Sequence, residues 1–519
     1  MNSPQADSVP SMAEEAAKDD WDYIKRQSEA IETEALHTYL WEQRHLIEAL
    51  VLHHLGLAPD SASSSVLPQA EWLCGRFNIC VPVKVTSHTA VEKVIVRFAM
   101  RHKFAEDHCL GFMNEKISCE VATYIWMQEN CPSVPIPHLF GFGFTDGRHF
   151  THSKHRPFFV RLVRSAWRQL YKCLRWPVLS SYVSHAFPHQ FEMGYLILEF
   201  IDQDSGRMLS QVWKDGCSDE NKMKNLFRSL SRLILSVGRI PQPRIGSFTF
   251  NSDGAITLTN RPLTCSMAIM EAQGAQRVLE RHQTYSCTDA FVSDLLSLHD
   301  SRFLNQRNAV HGYRDCRAQM ATKSVLRAVQ HHYINRKTRY GPYSLQFTDI
   351  HQSNILVDEG YNIKCLIDLE WICSLPTEML AVPSWLTGCC IQQLYGEKLG
   401  EFDEIHKEFM DILSEEEKAL GTFLPGTAGP QPISHYIRTN WTSKMVWFWY
   451  CLDSVNIMYE VAEDHIYPEF SLDPQSKELE NHFFRLWCRG AESVVQTKVK
   501  DREAYLKSLA AMFRITPSA

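Results

Sequence analysis

No two cysteines stand at C-x-x-C spacing, although the chain carries 16 of them. That absence argues against a zinc ribbon, and 519 residues are too many for a small disulfide-stapled scaffold. The cysteines are therefore expected to be reduced and mostly buried. A basic stretch followed by an apolar run is missing from "MNSPQADSVPSMAEEAAKDDWDY", so no secretory signal is expected. Without secretion the sequon at Asn440 carries little weight. Long hydrophobic runs are missing too. The nearest approach, "WTSKMVWFWYCLDSVNIMYEV", holds Lys444 and Asp453 and reads as a packed aromatic helix rather than a membrane span. An excess of positive charge is absent. A formal net charge of −7 argues against nucleic acid as the main partner. These absences together predict a soluble, cytoplasmic protein with no transmembrane segment.

Several catalytic signatures are also missing. There is no G-x-x-x-x-G-K-[ST] and no G-x-S-x-G, which disfavours a Walker ATPase and an α/β-hydrolase. The strings His-Arg-Asp and Asp-Phe-Gly do not occur, which ranks a protein kinase low. "GFGFTDG", residues 141–147, only approximates a dinucleotide fingerprint. Its third glycine comes one position late, and prolines precede it. It reads as a hairpin where backbones approach closely.

What remains is an ordinary globular composition, 45% hydrophobic and 22% charged, long enough for two or three packed units. Residues 1 to about 20 read as a loose polar tail, 21–57 as helix and "APDSASSSVLPQ" as a linker. "RFNICVPVKVTS" and "KVIVRFAM" alternate as strands a hairpin apart. "MNEKISCEVATYIWMQENC" follows as an amphipathic helix stopped by "PSVPIP", and then come the strands "HLFGFGF" and "GYLILEFI". After residue 203 the pattern is mainly helical, interrupted by one hairpin. The segment "KHRPFFVRLVRSAWRQLYKCLRW", 154–176, is basic and aromatic. One reading is a surface helix touching acidic lipid or an anionic ligand. The favoured reading is an insertion that packs its apolar face inward with Arg and Lys solvated.

The hairpin carries the chemistry. In "FTDIHQSNILVDEGYNIKCLIDLEW", Tyr361 lies midway between Asn354 and Asp368. Symmetric pairing about it places those two side chains roughly 5 Å apart at the open end. An amide oxygen and a carboxylate so placed suit Mg²⁺. Asp349, five residues before Asn354, reaches the same end as a proton acceptor for a substrate hydroxyl. The spacing matches a phosphoryl-transfer arrangement. His351 reads as a structural hydrogen-bonding residue. Glu370 reads as support beside the metal site, Trp371 as a core residue, and Glu378 as a weak substrate-contact candidate.

"TDIHQSNILVDEGYNIKCLIDLEWICSLP", "CEVATYIWMQENCPSVPIPHLFGFG", "LSRLILSVGRIPQPRIGSF" and "NRPLT" are similar to segments of the aminoglycoside phosphotransferase-like kinases, especially a large fungal branch. The resemblance covers roughly residues 71–505. It implies an α+β, bilobal protein-kinase-like fold: a helical extension over 1–66, a β-rich N-lobe over 67–202 with a basic insertion near 150–190, and a mainly helical C-lobe over 203–519. It also implies ATP and Mg²⁺ as cofactors and a small-molecule hydroxyl as acceptor. Asp349 matches the catalytic aspartate, and Asn354 and Asp368 match the metal ligands. Arg97 stands where such kinases place a phosphate-contacting strand lysine, with Glu120 as its helix partner. Glu199 and Ile201 fall in the hinge that offers backbone groups to adenine. The chain departs from the family in starting its block Phe347-Thr348-Asp349 instead of His-Gly-Asp, and in keeping a single glycine, Gly75, in the strand turn "GRFNIC". Two functions follow: a small-molecule kinase, or a pseudokinase that binds nucleotide or a partner without transfer.

Overall fold

The computed structural model describes residues 8–87, 91–189, 191–202, 204–421, 424, 431–473 and 476–515. Its architecture is mixed α/β. The alternating apolar pattern of Asn78–Ser87 and Val91–Ala99 pairs them antiparallel, with Cys80 opposite Arg97 and Val83 opposite Val94. Tyr195–Glu199 adds on the far side of Val91–Ala99, setting Leu196 opposite Arg97. The sheet continues through Leu139–Gly143, His149–His152 and Tyr182–Ser184.

Successive side chains of a strand point to opposite faces. Val94, Val96 and Phe98 therefore share a core with Ile47, Leu50 and Val51 of the helix Arg44–Leu55. Arg97, out of phase with them, faces the helix Phe112–Asn130 instead. This alternation aims one cation away from the apolar layer and towards the candidate site.

Three parts of the N-terminal region differ from the sequence reading. The tail reading misses a helix, Ser8–Lys18, whose Ala16 packs on Tyr505 and Leu509 of the helix Ala491–Ile515. The region read as one helix over 21–57 is two, Tyr23–Glu42 and Arg44–Leu55, divided at Gln43. The segment read as a linker supplies a strand, Ala62–Val66, paired with Val83–Ser87 and turning Ala62 and Val66 inward. Its serines hid a strand that pairs through its backbone and is tied to the helix Arg44–Leu55 by Glu48, whose carbonyl accepts Ser64 Oγ and whose carboxylate accepts Val66 N, both at 2.9 Å. "GFGF" enters the expected hairpin, pairing with His149–His152, but side-chain rings rather than a backbone crowd its glycines: a Cβ on Gly141 would lie 2.2 Å from His54 Nδ1, and one on Gly143 2.4 Å from Tyr195 Cε1.

The basic segment also corrects expectation. It forms the helix Phe158–Cys173, but the helix has no buried residue, and its apolar face is the exposed one.

Beyond residue 204, Glu220–Gly238, Thr288–Asn305, Tyr313–Tyr333, Gly396–Leu420 and Met445–Asp453 pack around a continuous apolar core. The aromatic run is not one helix. Lys444, in the left-handed region at φ 58°, separates Ile433–Thr442 from Met445–Asp453. Trp447, Phe448 and Trp449 are buried as expected. Among the described residues no helix is long and apolar enough to cross a membrane.

Candidate active site

The hairpin is present, as Ile355–Val357 paired with Ile363–Leu366, with Arg207–Met208 on its edge. Its register is not the symmetric one. Ile355 faces Leu366, and an irregularity lies between Leu356 and Val357. Asp358 closes the turn, with Oδ1 accepting the N–H groups of Gly360 and Asn362 at 3.0 and 2.9 Å. Tyr361 takes a left-handed backbone at φ 65°. Consequently the partner of Asn354 is Ile367, whose N–H donates to the Asn354 carbonyl at 3.0 Å, and Asp368 lies one residue further on. Asn354 and Asp368 thus leave the same end of the hairpin without being a directly opposed pair.

A second strand pair brackets this end. Ser344–Phe347 runs antiparallel to Ile372–Leu375, Phe347 opposite Ile372. Asp349 follows the first strand, and Asp368 and Glu370 precede the second. Thr348 fastens the two connections, its hydroxyl donating to Trp371 O at 2.6 Å and its N–H to the same oxygen at 3.3 Å. On the other side, Trp385 Nε1 donates to Ile350 O at 2.7 Å. Buried Asn354 donates its amide nitrogen to the Asp349 carbonyl at 2.9 Å. This loop is well anchored despite its unusual Phe-Thr start. His351 caps the next turn, accepting from Ser353 N at 3.2 Å, and its ring nitrogen lies 3.9 Å from Asp349 Oδ1.

Behind the loop lies a buried charge cluster. Arg97 pairs with Glu120 and extends Nη1 to 3.5 Å from Asp368 Oδ1. Lys116, one helical turn before Glu120, pairs with Glu370 and lies 3.3 Å from Glu120 Oε2 and 3.2 Å from Asn78 Oδ1. Asn78 returns its amide nitrogen to Glu370 Oε2 at 3.1 Å. Carboxylate oxygens of Glu120, Asp368 and Glu370 all lie within 4.8 Å of one another. Burial opposes the charge on Glu370, but Lys116 and Arg97 prevail and hold its carboxyl below the usual range. Asp368 goes the other way, pushed up to about 6 by burial and by Glu370 against the pull of Arg97. Asp349, half-buried, is pushed up to about 7 by burial, with Asp368 and Glu370 adding to it.

The helix carrying Lys116 and Glu120 is itself braced. Arg261, fully buried, donates from Nε to Glu115 Oε1 at 2.7 Å and from Nη2 to Glu271 Oε2 at 2.9 Å. Asn260 adds a bond to Glu115 at 3.0 Å. Burial works against the Glu115 charge, yet Arg261, Asn260 and Arg277 together hold its carboxyl down to about 2. The string "NRPLT" therefore fixes where the site helix sits.

Asp349 also borders a cavity of about 270 Å³, lined by Phe347, His351, Trp385, Tyr450 and Asp453 among others. Asp453 is pushed up to about 6 by burial, although Ser266 donates to it at 2.7 Å.

Arg97, Glu120 and Asp368 thus form one cluster, and Asn354 and Asp349 share the loop beside it. Glu199 ends its strand, its N–H committed to His138 O at 2.9 Å and its carboxylate accepting His138 N at 3.0 Å. Ile201 follows, partly buried, two residues on. Trp371 is a core residue, edge-on to Phe77 at 5.3 Å, and Glu370 is a buried support, as expected. Glu378 is no substrate contact. It is buried and accepts Thr338 Oγ1 at 2.6 Å and Asn335 N at 3.3 Å, fastening a turn. Sequence reasoning missed Lys116, Asn78 and Arg261. Lys116 and Glu120 stand four apart, a spacing that ordinarily marks an exposed helix pair.

No protein-family model matches the chain, and no curated protein matches it in sequence. Among solved structures, the ethanolamine kinase of Plasmodium vivax is similar at a TM-score of 0.35 and 12% identity, with 89% of this chain and 88% of that chain covered. A likeness that distant carries no argument, and the functional reading stands on the geometry above.

Proposed function

We propose that the chain is an ATP- and Mg²⁺-dependent phosphotransferase that moves the γ-phosphate to a hydroxyl of a small molecule. One observation carries the reading. A strand cation, a helix carboxylate and a post-hairpin aspartate (Arg97, Glu120 and Asp368) meet where Asn354 and Asp349 leave the same loop. Kinase-type phosphoryl transfer needs this set: a braced cation for phosphate oxygens, oxygen ligands for a metal, and a carboxylate beside the attacking hydroxyl. On this reading the fold is bilobal and protein-kinase-like. The sheet then forms the N-lobe, ATP lies between the lobes, and Glu199–Ile201 is the hinge.

The donor set suits a hard cation. Asp368 keeps a partly exposed carboxylate, and Asn354 spends its amide nitrogen on Asp349 O, leaving its oxygen as the acceptor end. Asp368 and Asn354 would hold Mg²⁺, which supplies charge neutralisation on the phosphates when bound. Arg97 grips phosphate oxygens with a fork that lysine lacks. The acceptor occupies the cavity beside Asp349. Its hydroxyl oxygen bonds to the γ-phosphorus as the bond to ADP breaks, and its proton passes to the Asp349 carboxylate. Catalysis of this kind is mostly positioning and charge placement.

A pseudokinase is the second reading, favoured by two features. Arg97 is already engaged by Glu120 and Asp368, and the turn at Gly75 is pinned by Leu73–Cys74 pairing with Ile79–Cys80. A phosphotransfer screen of hydroxylated metabolites with ATP and Mg²⁺, run beside Asp349→Asn, separates the two. A product that disappears with the variant supports the kinase. Nucleotide binding with no product from any acceptor supports the pseudokinase, and no nucleotide binding overturns the kinase and leaves only a partner-binding pseudokinase.

A further inference from the structure

The helix Phe158–Cys173 is amphipathic, yet it sits on the protein the wrong way round for a globular surface. Phe158, Phe159, Leu162 and Val163 are 74%, 66%, 59% and 54% exposed, and Trp167, Leu170 and Leu174 are exposed with them. Its polar side faces the body. Arg164 donates from Nε to Ser180 O at 2.8 Å and from Nη2 to Gly254 O at 3.3 Å. Arg168, one turn on, donates to Leu179 O at 3.0 Å and pairs with Glu129. Four residues apart, these arginines lie on one helix face and bolt it to carbonyl groups of the fold. The apolar face is thereby held outward, along a helix about 24 Å long.

Charge surrounds that face. The span 154–176 contains Lys and Arg but no Asp or Glu, in a chain whose net charge is −7. Arg161 is exposed on the flank, as is Lys172 with its ammonium 3.9 Å from Glu129 Oε2, and Arg175 and Trp176 are exposed just beyond the end. Trp176 sits edge-on to Tyr171 at 5.0 Å, next to the apolar stripe. A single convex helix makes no groove for a peptide. A second copy docked face to face would bring the same basic flanks together. A bilayer interface asks for this composition: apolar side chains to enter the acyl boundary, tryptophan at headgroup level, and cations for anionic headgroups.

We propose that Phe158–Cys173 is a membrane-surface helix that lays the protein on an anionic lipid bilayer without spanning it. The inference is independent of the catalytic reading, because no residue of the helix touches the candidate site.

Co-sedimentation of the full chain with vesicles of phosphatidylcholine, with and without phosphatidylserine, tests it. Binding should appear with phosphatidylserine and weaken as salt rises. It should fall by about tenfold or more in Phe159→Glu/Leu162→Glu and in Arg161→Glu/Arg175→Glu. These side chains are exposed, so the thermal midpoint should not move. Brominated lipid should quench tryptophan fluorescence, less so in Trp167→Phe. No binding to the anionic vesicles, or binding indifferent to both double substitutions, would overturn the proposal. So would a concentration-dependent dimer that Leu162→Glu abolishes, since a second copy would then be the occupant.

Discussion

Replacing Lys116 by Met should expose how the buried cluster is balanced. Lys116 is 1% exposed, and its ammonium is shared by Glu370, Glu120 and Asn78. Without it, Glu120, Asp368 and Glu370 face Arg97 alone. Breaking a buried ion pair by deleting one partner costs about 3–5 kcal/mol, because the abandoned charge stays buried. A second change, Glu370→Gln, removes one negative charge and keeps an oxygen for the Asn78 amide. The double variant should therefore be about 2–3 kcal/mol more stable than the sum of the single losses implies. Guanidinium unfolding of the four proteins, followed by tryptophan fluorescence, measures that coupling. Losses that add to within about 0.5 kcal/mol would refute the idea that Lys116 and Glu370 neutralise each other.

Three further outcomes follow from named contacts. Glu115, at about 2 in the folded chain against an ordinary 4.5, contributes stability that is full above about pH 4.5 and lost as pH falls towards 2. The loss is about 3 kcal/mol, and Glu115→Gln should flatten this part of an acid-unfolding profile while lowering stability at neutral pH. Thr348→Val removes the hydroxyl bond to Trp371 O, so stability should fall by about 1 kcal/mol. Turnover in that variant should drop with nucleotide affinity unchanged, because the bond positions Asp349 rather than ATP. Gly141→Ala drives a methyl into His54, which is held by Thr151 and Tyr195 at 2.8 and 2.7 Å, and should cost about 1–3 kcal/mol in a thermal shift.

The sheet's two long strands and the hairpin were legible because period-two alternation and the turn residues of "DEGYN" are local signals. So was the placing of Asp349 and Asn354 on one loop, with Asp368 leaving the same end of the hairpin, since it needs only chain reach. The register was not, because a left-handed Tyr361 and one irregular pair shift it by a residue. Lys116 stayed hidden because an i, i+4 pair looks the same on an exposed helix as on one buried on every side. Ser8–Lys18 is short and polar, and its Ala16 packs on a helix almost 500 positions away. The helix Phe158–Cys173 is the sharpest case. Its amphipathicity was visible, but the direction of the apolar face depends on where Arg164 and Arg168 find carbonyl acceptors, which is a tertiary fact.

The central claim is that Asp349 receives the proton of an acceptor hydroxyl while ATP loses its γ-phosphate. The most direct measurement is ADP formation coupled to a phosphorylated acceptor, in the parent chain and in Asp349→Asn. The account predicts Mg²⁺-dependent transfer in the parent and a fall of about 100-fold or more in the variant, with nucleotide still bound. Transfer undiminished in Asp349→Asn would contradict it.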